Sequence, residues 1–82
     1  MYSVYVLRSK TDGKRYVGMT TDWLRRLKEH NEGKVFSTKG RVPFVLVYRE
    51  DLNSVKEARS REKYLKSAAG RRFLDQKETM RP

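Results

Sequence analysis

The chain has 82 residues, no cysteine, and twenty Lys and Arg against ten Asp and Glu, a formal charge of +10 at neutral pH. That length fits one small domain; the missing thiols exclude a disulfide framework and a thiolate metal site, and no apolar run is long enough to span a bilayer. So basic a domain attracts polyanions, nucleic acid first among them; the expected setting is the cytoplasm, with no leader peptide and no membrane contact.

The first strand is predicted over residues 2–8, a run of β-branched and aromatic types. Asp12-Gly13 then predicts a two-residue hairpin turn with both central residues at positive φ, returning into a short second strand from Lys14 to about Met19. In that register Tyr16 faces Ser9, Gly18 faces Leu7 and Thr20 faces Tyr5. Side chains alternate along a strand, so Tyr5 and Tyr16 share one face. Gly18 sits on that face too and leaves room for a backbone or a phosphate to approach. Without a ligand, the same pattern describes two core tyrosines and a strand-end glycine.

Asp22 is a suitable N-cap for a helix over 22–31, in which Trp23, Leu24 and Leu27 recur at helical spacing and Gly33 lies past the C-terminal end. Arg26 and His30 are four residues apart, hence neighbours on one face beside the apolar stripe. Arg26 suits either a packing role, its stem covering a ring, or a phosphate clamp, its planar fork matching phosphate oxygens. His30 suits either a helix-end residue or a catalytic one.

Residues 33–42 form a basic loop containing Gly and Ser. Pro43 opens a third strand, Phe44–Tyr48, followed by the turn and cap types Asp51, Asn53 and Ser54. A second helix is predicted over 55–67, broken by Gly70, with a last helical turn at residues 71–74. At ~100° per residue, Glu62 falls between Val55 and Ala58 on the apolar stripe, whereas Glu57 faces solvent. A carboxylate turned toward a core is costly unless it is paired or binds a metal, and either answer is open to Glu62. The order β-β-α-β-α predicts an α+β domain over residues 1–75, a three-stranded antiparallel sheet flanked by helices, with a polar tail over 76–82.

Taken together, these segments resemble the GIY-YIG nuclease superfamily, and within it the small stand-alone bacterial members. Ser3-Val4-Tyr5 stands for the first motif and Tyr16-Val17-Gly18 for the second. The run from Met19 to Asn31 is similar to the family's helix bearing Arg and then His or Tyr, and Ala58-x-x-x-Glu62 to its later helix with a metal-binding Glu. Ser3-Val4 replaces Gly-Ile, and Met19 stands where the excision-repair nucleases carry Lys.

The resemblance implies a metal-dependent endonuclease that hydrolyses phosphodiester bonds of DNA, as in repair, with one Mg²⁺ or Mn²⁺ on Glu62. It implies Tyr16 as general base or as the hydroxyl that orients water, Tyr5 against the scissile phosphate, Arg26 neutralising transition-state charge, and His30 aiding proton transfer or phosphate binding. Lys34, Lys39, Arg41, Arg59, Lys63, Lys66, Arg71 and Arg72 are the expected nucleic-acid contacts, on a monomer. The alternatives are a basic nucleic-acid-binding module without cleavage and a structural partner of an acidic protein.

Overall fold

The computed structural model describes residues 1–79. Strand β1, Tyr2–Ser9, is the middle of a three-stranded antiparallel sheet of order β2-β1-β3, between β2, Arg15–Thr20, and β3, Phe44–Leu52. Its residues from Ser3 to Leu7 are buried because both faces of the sheet are covered. On one face Val4 and Val6 join Val17, Val47, Ala58, Leu65 and Leu74 in the larger core. On the other, Tyr5, Leu7 and Phe44 pack with Tyr16, Leu27, Val42 and Leu46. Helices α2, Val55–Lys66, and α3, Ala68–Thr79, supply the first cover, and α1, Trp23–Asn31, the second.

The expected α+β architecture is present, with a third helix beyond it. Asp22 caps α1 by accepting from Arg25 N at 3.1 Å, and Gly33, at φ +75°, ends it by donating to His30 O at 3.0 Å. Ser54 caps α2 through Glu57 N at 3.1 Å. The third strand continues to Leu52, so Asp51 lies within β3 and accepts from Ser3 Oγ at 2.6 Å.

Two local expectations are corrected. The hairpin is not a two-residue turn: Ser9 N donates to Lys14 O at 2.9 Å, and Gly13 has φ +73° while among the described residues none other than glycine has positive φ. Ser9 Oγ accepts from the amides of Thr11 and Asp12 at 3.0 and 3.1 Å, holding a wider turn. The register therefore slips by two residues, placing Tyr5 opposite Gly18, Leu7 opposite Tyr16 and Ser3 opposite Thr20. An even slip preserves the faces, so Tyr5 and Tyr16 stay together.

Gly70 does not break α2. Ser67 does, bonding back to Tyr64 O at 2.5 Å through its hydroxyl and accepting Gly70 N at 3.1 Å at the start of α3. Gly70 lies inside α3, where a Cβ would stand 2.0 Å from Tyr64 O, so its hydrogen is what lets α3 cross the end of α2. Residues 76–79 of the expected polar tail are helical, and residues 80–82 lie outside the described residues. Glu78 binds Arg8 at 2.8 Å and Arg15 at 2.6 Å, and Asp75 binds Arg15 at 2.6 Å, tying α3 to the hairpin.

Candidate active site

β1 and β2 each place one tyrosine on the α1 side of the sheet, and α1 brings His30 down upon them. The His30 ring centroid is 5.9 Å from that of Tyr5, 5.0 Å from that of Tyr16 and 5.9 Å from that of Phe44, all edge-on. His30 is 0% exposed and is the only fully buried residue of α1, whereas Leu24, expected on the apolar stripe, is 63% exposed. Both its nitrogens are engaged: Nε2 is 3.1 Å from Tyr5 Oη, and Nδ1 is 2.7 Å from Thr38 Oγ1. Burial pushes its pKa down, and the nearby Arg26 charge pushes the same way. The imidazole is therefore neutral near pH 7, one nitrogen donating and the other accepting.

Thr38 was not singled out in the sequence. It lies in the basic loop, where a Thr reads as an ordinary turn residue, yet it is 0% exposed. Its amide donates to Val35 O at 3.1 Å and its carbonyl accepts from Arg41 N at 2.9 Å. The loop thus delivers a fixed hydroxyl to His30. Asn31 was missed as well. Its amide group donates to Phe44 O at 3.0 Å and accepts Phe44 N at 2.6 Å, fastening the end of α1 to β3.

Tyr5 is 2% exposed, and burial pushes its phenol pKa up. The Arg26 guanidinium beside it opposes that rise, while Tyr16 and Glu62 reinforce it. Tyr5 is a neutral hydroxyl bonded to His30 with the Arg26 guanidinium close by. Gly18 makes this placement possible. The space expected there for a phosphate is filled by the Tyr5 ring, whose Oη would lie 2.5 Å from a Cβ on residue 18. Arg26 is partly exposed, with Glu29 Oε1 3.1 Å from Nη1. The sequence thus named four side chains, Tyr5, Tyr16, Arg26 and His30, that the fold brings together.

Glu62 approaches that group from another side. Its helix packs on the opposite face of the sheet, and its side chain lies at the margin of the buried stripe set by Ala58 and Leu65. Glu62 is 24% exposed, and among the described residues its only close cation is Lys66, one turn on, at 3.3 Å. At the other margin Arg61 is tied to Glu50 of β3 at 2.9 Å. Helix α2 lies against β2, an edge strand, and Glu62 is near enough to raise the Tyr5 pKa. Among the described residues no three His, Cys, Asp or Glu side chains gather as a metal cage. A lone accessible carboxylate still fits Mg²⁺, which keeps most of its waters and accepts few protein ligands.

The basic residues divide by role. Arg41 is structural: it pairs with Asp12 at 2.8 Å, locking the hairpin turn, and lies over the Phe44 ring. Lys34 pairs with Glu32 at 3.1 Å, and Lys39 lies over the Phe36 ring at 5.1 Å. Arg59, Lys63 and Arg72 are exposed. Lys66 and Arg71 join Arg8, Lys14, Arg15 and Tyr16 around an open groove of about 710 Å³. Cations thus line one route to the exposed side of Tyr16. No helix among the described residues is long and apolar enough to cross a membrane.

A family model described as the GIY-YIG catalytic domain matches residues 1–77. A UPF0213 protein of Halobacterium salinarum is 43% identical over 67 residues, covering 80% of this chain and 86% of its own. A UPF0213 protein of Streptococcus pneumoniae is 45% identical over 64 residues; the match spans 77% of this chain and 64% of that longer protein. The chain is also similar to the solution NMR structure of a UPF0213 protein from Bacillus halodurans. That likeness has a TM-score of 0.57 and 37% identity, and covers 98% of this chain and 95% of the other.

Proposed function

Because the chain belongs to the GIY-YIG catalytic-domain family, we propose that it is an endonuclease that hydrolyses phosphodiester bonds of DNA in branched, flapped or single-stranded structures, as in repair. The observation that carries this reading is the meeting of Tyr16, Arg26 and the buried Tyr5–His30–Thr38 chain on one side of the sheet. A basic binding module needs exposed cations and has no use for a buried imidazole held at both nitrogens.

In this reading Arg26 neutralises charge that builds on the phosphate in the transition state. Tyr5 holds the guanidinium end in place and faces the scissile phosphate from beside it. His30, closed to solvent, works through Tyr5 and is a positioning residue. Tyr16, the more exposed tyrosine, orients or deprotonates the attacking water. Glu62 would hold a single Mg²⁺ or Mn²⁺, which supplies Lewis-acid stabilisation of the leaving oxygen. Lys66 must yield its ion pair for that. The protein acts as a monomer in the cytoplasm, its free Lys and Arg side chains contacting phosphates.

The test is cleavage of labelled flapped, branched and single-stranded DNA with Mg²⁺ or Mn²⁺, beside EDTA controls and Glu62→Ala. Metal-dependent cleavage lost in Glu62→Ala supports the reading. Tight DNA binding with no cleavage of any substrate in either metal would leave the protein a binding module.

A further inference from the structure

Phe36 is 85% exposed, more than any other large apolar side chain among the described residues. Single exposed apolar residues are common and mean little. The mounting of this one sets it apart. Val35–Thr38 is a β-turn closed by Thr38 N to Val35 O at 3.1 Å, so Phe36 is a central residue of the turn. The turn cannot swing freely, because Thr38 is wholly buried with its hydroxyl 2.7 Å from His30 Nδ1. On the following side Arg41 N bonds to Thr38 O at 2.9 Å. A flexible loop would let Phe36 fold back onto the core. This one holds the ring in water, two residues from a side chain that supports the candidate active site.

The surroundings are cationic. Lys39 Nζ lies 5.1 Å from the Phe36 ring centroid, and Lys34, two residues before it, is exposed in an ion pair with Glu32 at 3.1 Å that a phosphate would compete for. An aromatic ring among lysines is suited to nucleic acid: the ring stacks on a base and the ammonium groups meet the phosphates on either side. Every base has a π face, so such a contact is tolerant of sequence. It demands only an unpaired base, which a continuous duplex does not offer. A ring held rigid before binding also loses little entropy on forming the stack.

We propose that the Val35–Thr38 turn presents Phe36 as a stacking platform for an unpaired base, making the protein selective for single-stranded over duplex DNA. This deepens the endonuclease reading and rests on it for the identity of the ligand as DNA. Through Thr38 and His30 the platform and the Tyr5 hydroxyl share one rigid frame, so a stacked base fixes the strand relative to Arg26.

The experiment measures binding in EDTA, where no cleavage occurs, by fluorescence anisotropy of an oligothymidine and of a duplex of equal length. Phe36→Ala is expected to weaken oligothymidine binding about tenfold and to change duplex binding less than about twofold. Phe36→Trp is expected to keep the wild-type affinity, with its added indole emission quenched by oligothymidine and not by duplex. Circular dichroism melts of both variants should match the wild type, since the side chain is 85% exposed. Equal losses on both DNAs, no loss on either, or an unquenched Trp would overturn the proposal. So would a wild-type dimer that Phe36→Ala dissociates, which assigns the ring to a second copy of the chain. A protein that binds oligothymidine through Phe36 yet cuts nothing would keep the platform and refute the nuclease reading alone.

Discussion

Tyr5 lies over Gly18 across the β1–β2 pair, so close that a Cβ on residue 18 would be 2.5 Å from the Tyr5 hydroxyl oxygen. The glycine carries no unusual φ. It is needed because another residue's ring occupies the place of its side chain. The same hydroxyl is 3.1 Å from His30 Nε2, so whatever displaces the ring also breaks the buried chain to Thr38.

Gly18→Ala is therefore expected to destabilise the fold by about 1–3 kcal/mol through overpacking. Denaturant melts measure the loss. Cleavage should fall further than stability explains, because Tyr5 shifts relative to Arg26. A variant as stable and as active as wild type would mean that Tyr5 has another place to go.

Thr38→Val keeps the shape and removes the hydroxyl, leaving Nδ1 of a fully buried histidine without its partner. An unpaired buried polar group costs about 1–3 kcal/mol. Thr38→Ser restores the oxygen and should recover most of that stability. If Val and Ser variants melt alike, the contact is not what holds the loop.

The pH dependence of stability follows from the lowered His30 pKa. The unfolded chain takes up the imidazole proton near pH 6.5, and the folded chain resists it to lower pH. The stabilisation is complete above about pH 6.5 and is lost as pH falls from there through the folded pKa. His30 is the only histidine, so a decline in Tm between about pH 6.5 and pH 5 is assigned to it. His30→Gln, though less stable throughout, should show a flatter profile in that window. A wild-type Tm that rises on acidification there would contradict the burial of a neutral imidazole.

Glu62→Ala separates a metal-binding carboxylate from a structural one. Its partner Lys66 is 57% exposed and one helical turn away, and pairs of that kind contribute about 0.3–0.5 kcal/mol. The variant should melt within a degree or two of wild type, bind DNA as well or slightly better, and lose metal-dependent cleavage. A large drop in Tm in metal-free buffer would make Glu62 part of the fold and remove it from the site.

Much of this was written locally in the chain. Strand alternation places Tyr5 and Tyr16 on one face whether the hairpin slips by zero or two residues, because the side-chain period is two. Helical spacing makes Arg26 and His30 neighbours, and Asp22 and Ser54 start their helices by bonding to amides three residues away. These features depend on a few consecutive residues, so sequence by itself determined the three-stranded α+β fold and four members of the candidate site. The tertiary structure alone decided the rest. Gly18 and Gly70 look like room for a ligand and a helix break, but each is a place where a second element passes too close for a Cβ, and closeness belongs to a pair of elements. Thr38 matters because a loop brings it under a histidine eight residues away in the chain. Glu62 read as a carboxylate aimed into the core; packing turned α2 so that Ala58 and Leu65 took the interior and left Glu62 at the margin, beside the edge strand. Periodicity ranks the residues on a helix by angle, but only the surface a helix packs against sets where the buried stripe is centred.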